Sequence, residues 1–214
     1  KEVKKKMKSD EKSLCNRTHI QKTSSYRRWT PKQLIAFSEF AKTTFSEGKL
    51  SSKDKELIAI GCAHSLRCPY CIDYHVDLAI KAKAKDEEIA EASWVAIFVA
   101  AHCSHDFLSG EVPFLDMKKR ENQRPRSYEE KFQQLSEACL SEGVLTSSTK
   151  LLIAIGCAHS CQAIDSTKQF VESALQMSLE EEAISEAIWV SIEMAAGASF
   201  GYSGLTAELL DENR

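Results

Sequence analysis

Residues 52–65, SKDKELIAIGCAHS, return 95 positions later at 147–160 as SSTKLLIAIGCAHS, identical at eleven of fourteen places. A repeat of this kind marks two copies of one supersecondary unit that bury their apolar faces on each other. The same offset carries Gly48 onto Gly143 and Trp94 onto Trp189, so the copies extend well beyond the matching stretch. The unit is helical. Only 8 Gly and 4 Pro punctuate 214 residues that are rich in Ala, Leu, Glu and Lys, and the apolar runs follow helical spacing.

Thr30-Pro31 is a helix start, an N-cap followed by Pro at N1. The first helix is expected over 31–47, with Gly48 as its C′ residue, and the next three over 52–66, 69–83 and 86–107. The second copy gives helices over 127–142, 147–161, 165–177 and 179–199. The fold class is therefore all-α, two pseudo-symmetric four-helix repeats at 30–108 and 127–205. A basic arm (1–29), a linker (109–126, with Gly, Pro and a run of Lys and Arg) and a tail (206–214) complete the division. The arm reads as poorly ordered or loosely helical, with Tyr26 and Trp29 as the first residues able to anchor it.

The arm's ten Lys and Arg against three Asp and Glu leave the rest of the chain at −10 from a total of −3. No aromatic interleaving or groove-reading motif accompanies that charge, which argues against a nucleic-acid partner. No apolar run is long enough to span a bilayer, and the first residues are charged, unlike a secretory signal. The chain does not begin with Met, which leaves a removed segment open. Eight cysteines sit in a chain long enough to build a core without staples. Cys62 and Cys157, inside the repeated IAIGCAHS, read as small buried hydrophobes. A reducing, cytoplasmic compartment is the expectation, with one cysteine pair as the exception.

That pair is in ELIAIGCAHSLRCPYCIDYH, residues 56–75. Cys68-Pro69-Tyr70-Cys71 reads as the first turn of a helix, Cys68 at the N-cap and Cys71 at N3. Unpaired N–H groups and the helix dipole favour a thiolate there. His75 follows Cys71 by four residues on the same helix face, able to take or relay a thiol proton. Glu56 lies near the start of the preceding helix, where a carboxylate is either an exposed complement to the dipole or a buried group with a task. Packed antiparallel across a short turn, that helix brings Glu56 to His75 as a second base, the general arrangement of an activated nucleophile.

The repeat supplies an internal control. Under the same offset Glu56, Cys68, Cys71 and His75 become Leu151, Ala163, Ser166 and Phe170, while Leu57–Ser65 returns unchanged as Leu152–Ser160. The second copy keeps the packing and loses the chemistry. Cys62 and His64 recur as Cys157 and His159, which gives them a shared structural role. Cys161 falls opposite Leu66 and reads as a bystander able to approach an active-site thiol. His102 and His105, flanking Cys103, read as a polar helix end rather than a metal site.

The pattern Glu56-x11-Cys68-x2-Cys71-x3-His75 resembles the active-site motif of the AhpD-like alkylhydroperoxidases of the carboxymuconolactone decarboxylase superfamily. The resemblance covers residues 30–110, and 127–205 as a degenerate copy. It implies an AhpD-like fold and a thiol-dependent peroxidase or dithiol–disulfide oxidoreductase acting on alkyl hydroperoxides. By the same resemblance Cys71 attacks, Cys68 resolves, His75 relays the proton and Glu56 assists. No cofactor is implied. A dithiol protein, lipoylated or thioredoxin-like, would be the reductant, and a homotrimer the assembly. Two departures stand out: Tyr70 lies where some members carry a histidine, and the motif is in the first repeat rather than the second. The alternatives are a lactone-decarboxylase lyase, which needs no cysteine pair, a zinc site using Cys68, Cys71 and His75 with Glu56 as a candidate further ligand, and a non-catalytic scaffold.

Overall fold

The computed structural model describes residues 17–109 and 126–213. Expectations for the N-terminal charge run before Arg17 and for most of the 109–126 linker lie outside them. Among the described residues all regular structure is helical. A short α1 (Arg17–Lys22), a 3₁₀ turn (Thr23–Ser25) and α2 (Tyr26–Trp29) precede the first repeat, α3 (Pro31–Thr44), α4 (Ser52–Ser65), α5 (Pro69–Lys81) and α6 (Asp86–Ser109). The second repeat is α7 (Arg126–Leu140), α8 (Ser147–Ser160), α9 (Ile164–Gln176) and α10 (Glu181–Glu212).

The repeated segment packs on its own copy. A Cβ on Gly61 would press on Ile153 Cγ2 and Cys157 Sγ, and one on Gly156 on Ile58 Cγ2 and Cys62 Sγ. Helices α4 and α8 therefore cross at their glycines around a pseudo-two-fold axis. An isologous contact needs the same surface on both sides, which accounts for the identity of the two segments. Cys62 and Cys157 are fully buried at this crossing, and burial pushes the Cys62 thiol up to about 12.

The copies also clasp each other. Lys55 Nζ lies 3.1 Å from Glu186 and donates to Ser46 O at 2.6 Å. Lys150 Nζ lies 3.1 Å from Glu91 and donates to Ser141 O at 2.8 Å. Glu186 accepts from the Lys49 and Leu50 amides, and Glu91 from those of Val144 and Leu145. Both lysine side chains are nearly inaccessible, so their charges are matched by a carboxylate and a carbonyl rather than by water.

Three boundaries differ from the sequence expectation. Helix α3 ends at Thr44, with Phe45 as C-cap, because Phe45 turns in to stack on the His75 ring. Gly48 is not a left-handed C′ residue, since no glycine among the described residues has positive φ; a Cβ there would run into the Glu186 carboxylate. Helix α10 continues to Glu212 through the stretch expected to be a tail, burying Gly201, Gly204 and Ala207 on the way. Residues 17–29 are helical and pack on α10, with Tyr26 edge-on to Phe200 at 6.1 Å.

Candidate active site

Helix α4 ends in a Schellman turn. Arg67 adopts φ 53°, its N–H bonds His64 O, and the Cys68 N–H reaches back to Ala63 O. Cys68 is thus C″ of α4 and also the N-cap of α5, where its sulfur accepts the Cys71 N–H at 3.2 Å. Pro69 at N1 stiffens the entry. Cys68 and Cys71 are joined as a disulfide, with Cα atoms 5.3 Å apart. The turn reverses the chain so that α5 lies against α4. Glu56 and His75 then meet: Nδ1 of His75 lies 2.8 Å from Oε2 of Glu56, and both are buried. Glu56 is the partner of a histidine rather than an exposed dipole complement.

Cys71, His75 and Glu56 line a cavity of about 540 Å³; Cys68, fully buried, does not. The remaining wall is mostly apolar. Phe37 and Phe45 come from the α3 end, Leu78 from α5, Phe200 from α10 and Ile20 from α1. Such a space takes an apolar ligand with a few convergent polar groups at one end.

One of those polar groups was not anticipated. Glu193 of α10 is 4% exposed, lines the cavity and reaches into it from the second repeat. Desolvation raises its pKa; the His75 charge pulls it down and Glu56 pushes it further up. Its two oxygens lie over Gly197, where a Cβ would stand 3.7 Å from each. The signal was in the sequence: Glu193 is the single charge in IWVSIEMAAGASF and aligns with Phe98 under the repeat offset.

That offset also explains the other half. Glu193, Gly197, Phe200 and Gly201 of the cavity wall correspond to Phe98, His102, His105 and Asp106. His102 packs 4.9 Å from Phe170, itself the counterpart of His75, and 5.5 Å from Phe98, while Phe132 stacks on both histidines. Rings fill the space that is open in the first repeat. His102 and His105 are parts of this packed cluster, beside Asp106 and Glu129 respectively. His64 and His159 are bonded to Ile60 O and Ser191 Oγ, and neither lines the cavity. Cys161 is a free, exposed thiol at the C-cap of α8 and does not line the cavity. Among the described residues, no three His, Cys, Asp or Glu side chains are placed to hold a metal ion. None of the described helices is long and apolar enough to cross a membrane.

Comparison with known proteins agrees with the duplicated architecture. The model of the carboxymuconolactone decarboxylase family matches the chain twice, at residues 31–104 and 127–203. A Paracoccus denitrificans protein described as uncharacterized protein 4 in the cox locus is 37% identical over 81 residues. Those residues are 38% of this chain and 73% of that protein. No solved structure matches the chain.

Proposed function

Since the chain belongs to the carboxymuconolactone decarboxylase family, we propose that it is a thiol-dependent peroxidase that reduces organic hydroperoxides through Cys71 and Cys68. The observation that carries the reading is the arrangement of Cys71, His75, Glu56 and Glu193 on one apolar cavity, with Cys71 already bonded to Cys68.

In the reduced enzyme the Cys71 thiolate attacks the distal oxygen of the hydroperoxide. The O–O bond breaks, Cys71 becomes a sulfenic acid, and the alkoxide takes a proton to leave as alcohol. Glu193, whose burial favours the protonated acid, is suited to give that proton. His75 accepts the Cys71 thiol proton, and Glu56, bonded to Nδ1, leaves Nε2 as the working nitrogen. The Cys68 thiol then displaces water from the sulfenic acid and forms the disulfide seen here. A dithiol protein, lipoylated or thioredoxin-like, returns the pair to thiols.

The apolar walls favour an alkyl or aryl hydroperoxide over hydrogen peroxide. We include a homotrimer in the reading. Trp94 and Ile97 on α6, and their counterparts Trp189 and Ile192 on α10, are exposed and offer paired apolar faces for assembly. Light scattering that returned a stable monomer would remove it.

The test is single-turnover consumption of cumene hydroperoxide by reduced protein, with the Cys71→Ser and His75→Gln variants. Stoichiometric loss with a Cys68–Cys71 disulfide, absent in Cys71→Ser and slowed in His75→Gln, is the expected result. Unchanged consumption in Cys71→Ser overturns the proposal.

A further inference from the structure

The cavity has a polar rim. Phe37, Ala41 and Phe45 line it from α3 and its C-cap, and Ser38 and Lys42, both exposed, line it from the next positions round the helix. The same two residues also line a second, more open hollow of about 450 Å³ on the outer side of α3. Leu34, Ile35, Glu39 and Arg27 complete most of that hollow, and Ile35 is exposed to 58%. Ser38 and Lys42 are therefore the rim over which one space passes into the other.

Lys42 is the single cation lining the cavity among the described residues, and its ammonium has no hydrogen-bond or ion-pair partner among them. Arg27 is unpaired in the same sense. An exposed lysine on a helix is by default a solvated charge. The internal repeat argues that this one is more. Under the 95-residue offset Phe37 returns as Phe132, whereas Leu34, Ile35, Ser38 and Lys42 become Glu129, Glu130, Gln133 and Glu137. Gln133 donates to Glu137 at 3.1 Å, closing that face of α7 on itself. The copy that lost its cysteines and filled its pocket also replaced the rim cation and its apolar neighbours with acids. The copy that kept the chemistry kept the cation.

We propose that Lys42 anchors a carboxylate on the substrate, so that the preferred hydroperoxide is that of a fatty acid rather than a neutral one; the inference rests on the peroxidase reading and narrows its substrate class. The charges set the orientation. At the inner end Glu56 already holds His75, and Glu193 is a second acid, so a carboxylate buried there would lack a positive partner. At the rim it meets the Lys42 ammonium, with Arg27 beyond. The alkyl chain lies against Phe37, Phe45 and Phe200, and the hydroperoxide group faces Cys71. A hydrocarbon chain suits the walls, and the single negative charge suits the rim.

The experiment compares linoleic acid hydroperoxide with its methyl ester, both below their micelle concentrations. The full reduced chain consumes each in single turnover, and the half-saturating concentration is read. In the unaltered protein the acid should half-saturate roughly threefold to fivefold below the ester, the range of a solvent-exposed ion pair, and added salt should erode the difference. Lys42→Glu, which copies Glu137, should reverse the order of acid and ester, and Lys42→Arg should retain it. Calorimetric titration of the oxidised chain with decanoate and with 1-decanol needs no turnover. Decanoate should bind more tightly than the alcohol, and Lys42→Glu should cancel the advantage. An acid-to-ester ratio that is the same in Lys42→Glu as in the unaltered chain, or decanoate binding indifferent to Lys42, overturns the proposal. Lys42-dependent binding of decanoate without consumption of any hydroperoxide keeps the anchor and removes the peroxidase reading. Consumption of cumene hydroperoxide with acid and ester alike does the reverse.

Discussion

Glu56 Oε2 and His75 Nδ1 lie 2.8 Å apart, nineteen residues apart in sequence, on two helices joined by the turn that carries both cysteines. The bond fixes the imidazole against the α4 backbone, and Phe45 stacks on its face at 5.3 Å. Converting Glu56 to Gln keeps the shape and removes the charge that stabilises an imidazolium. Peroxide turnover should then fall roughly tenfold to a hundredfold, short of the 10²–10⁴ expected of a complete general base. Stopped-flow consumption of cumene hydroperoxide measures it; an unchanged rate would take Glu56 out of the proton path.

Glu193 makes two predictions with opposite readouts. In activity, Glu193→Gln should lower turnover and remove the alkaline fall of the pH–rate profile that reports loss of its proton. In stability the sign is set by its raised pKa. The folded state holds the proton more tightly than the unfolded chain, so this contribution is complete below the ordinary glutamate value of 4.5 and is lost as pH rises above it. Thermal melts should show Glu193→Gln gaining on the parent protein between acid and neutral pH.

The filled pocket of the second repeat suggests how to close the open one. Gly197→His copies His102 into the first repeat. Organic hydroperoxide consumption should drop at least about tenfold while the melting temperature holds or rises, because a cavity is filled rather than a core disrupted. Equal activity in the variant would show that substrate does not use this space.

At the helix crossing the opposite outcome is expected. Gly61→Ala pushes a methyl onto Ile153 and Cys157. The intrinsic helix preference for Ala is about 1 kcal/mol, and overpacking a core costs about 1–3 kcal/mol. Chemical denaturation should therefore show a net loss despite the better helix former, and Gly156→Ala should match it.

Acid should unfasten the two repeats. Burial raises Glu186 and Glu91, but amide donors and the buried lysines outweigh it and hold both below the usual carboxylate value. Their contribution is present above pH 4.5 and disappears as pH falls below it. The double variant Glu91→Gln, Glu186→Gln should be less stable at pH 7 and show a flatter decline on acidification, followed by circular dichroism.

Local features were legible in the sequence because local physics sets them. Thr30-Pro31, Ser51 and Cys68-Pro69 each begin a helix, and the repeated segment marks the crossing. The Glu56–His75 contact was also within reach, since one short turn separates their helices. Glu193 stood out as a lone charge in an apolar run, but its place in the cavity was not legible, because it arrives from a helix more than a hundred residues away and depends on how the repeats interlock. The sequence places the end of the last helix at 199. Instead α10 continues to Glu212, with Glu193 close to Gly197 and Tyr70 close to Gly201 on the way.

The crossing of α4 and α8 sets rules for how such a chain can diverge after duplication. A residue on the axis touches its own twin, so a change there meets the unchanged copy and needs a matching second change. A residue off the axis has no such constraint and can drift alone. The two pockets lie off the axis. One half was therefore able to surrender its reactive groups and fill with rings, while the shared centre held its sequence.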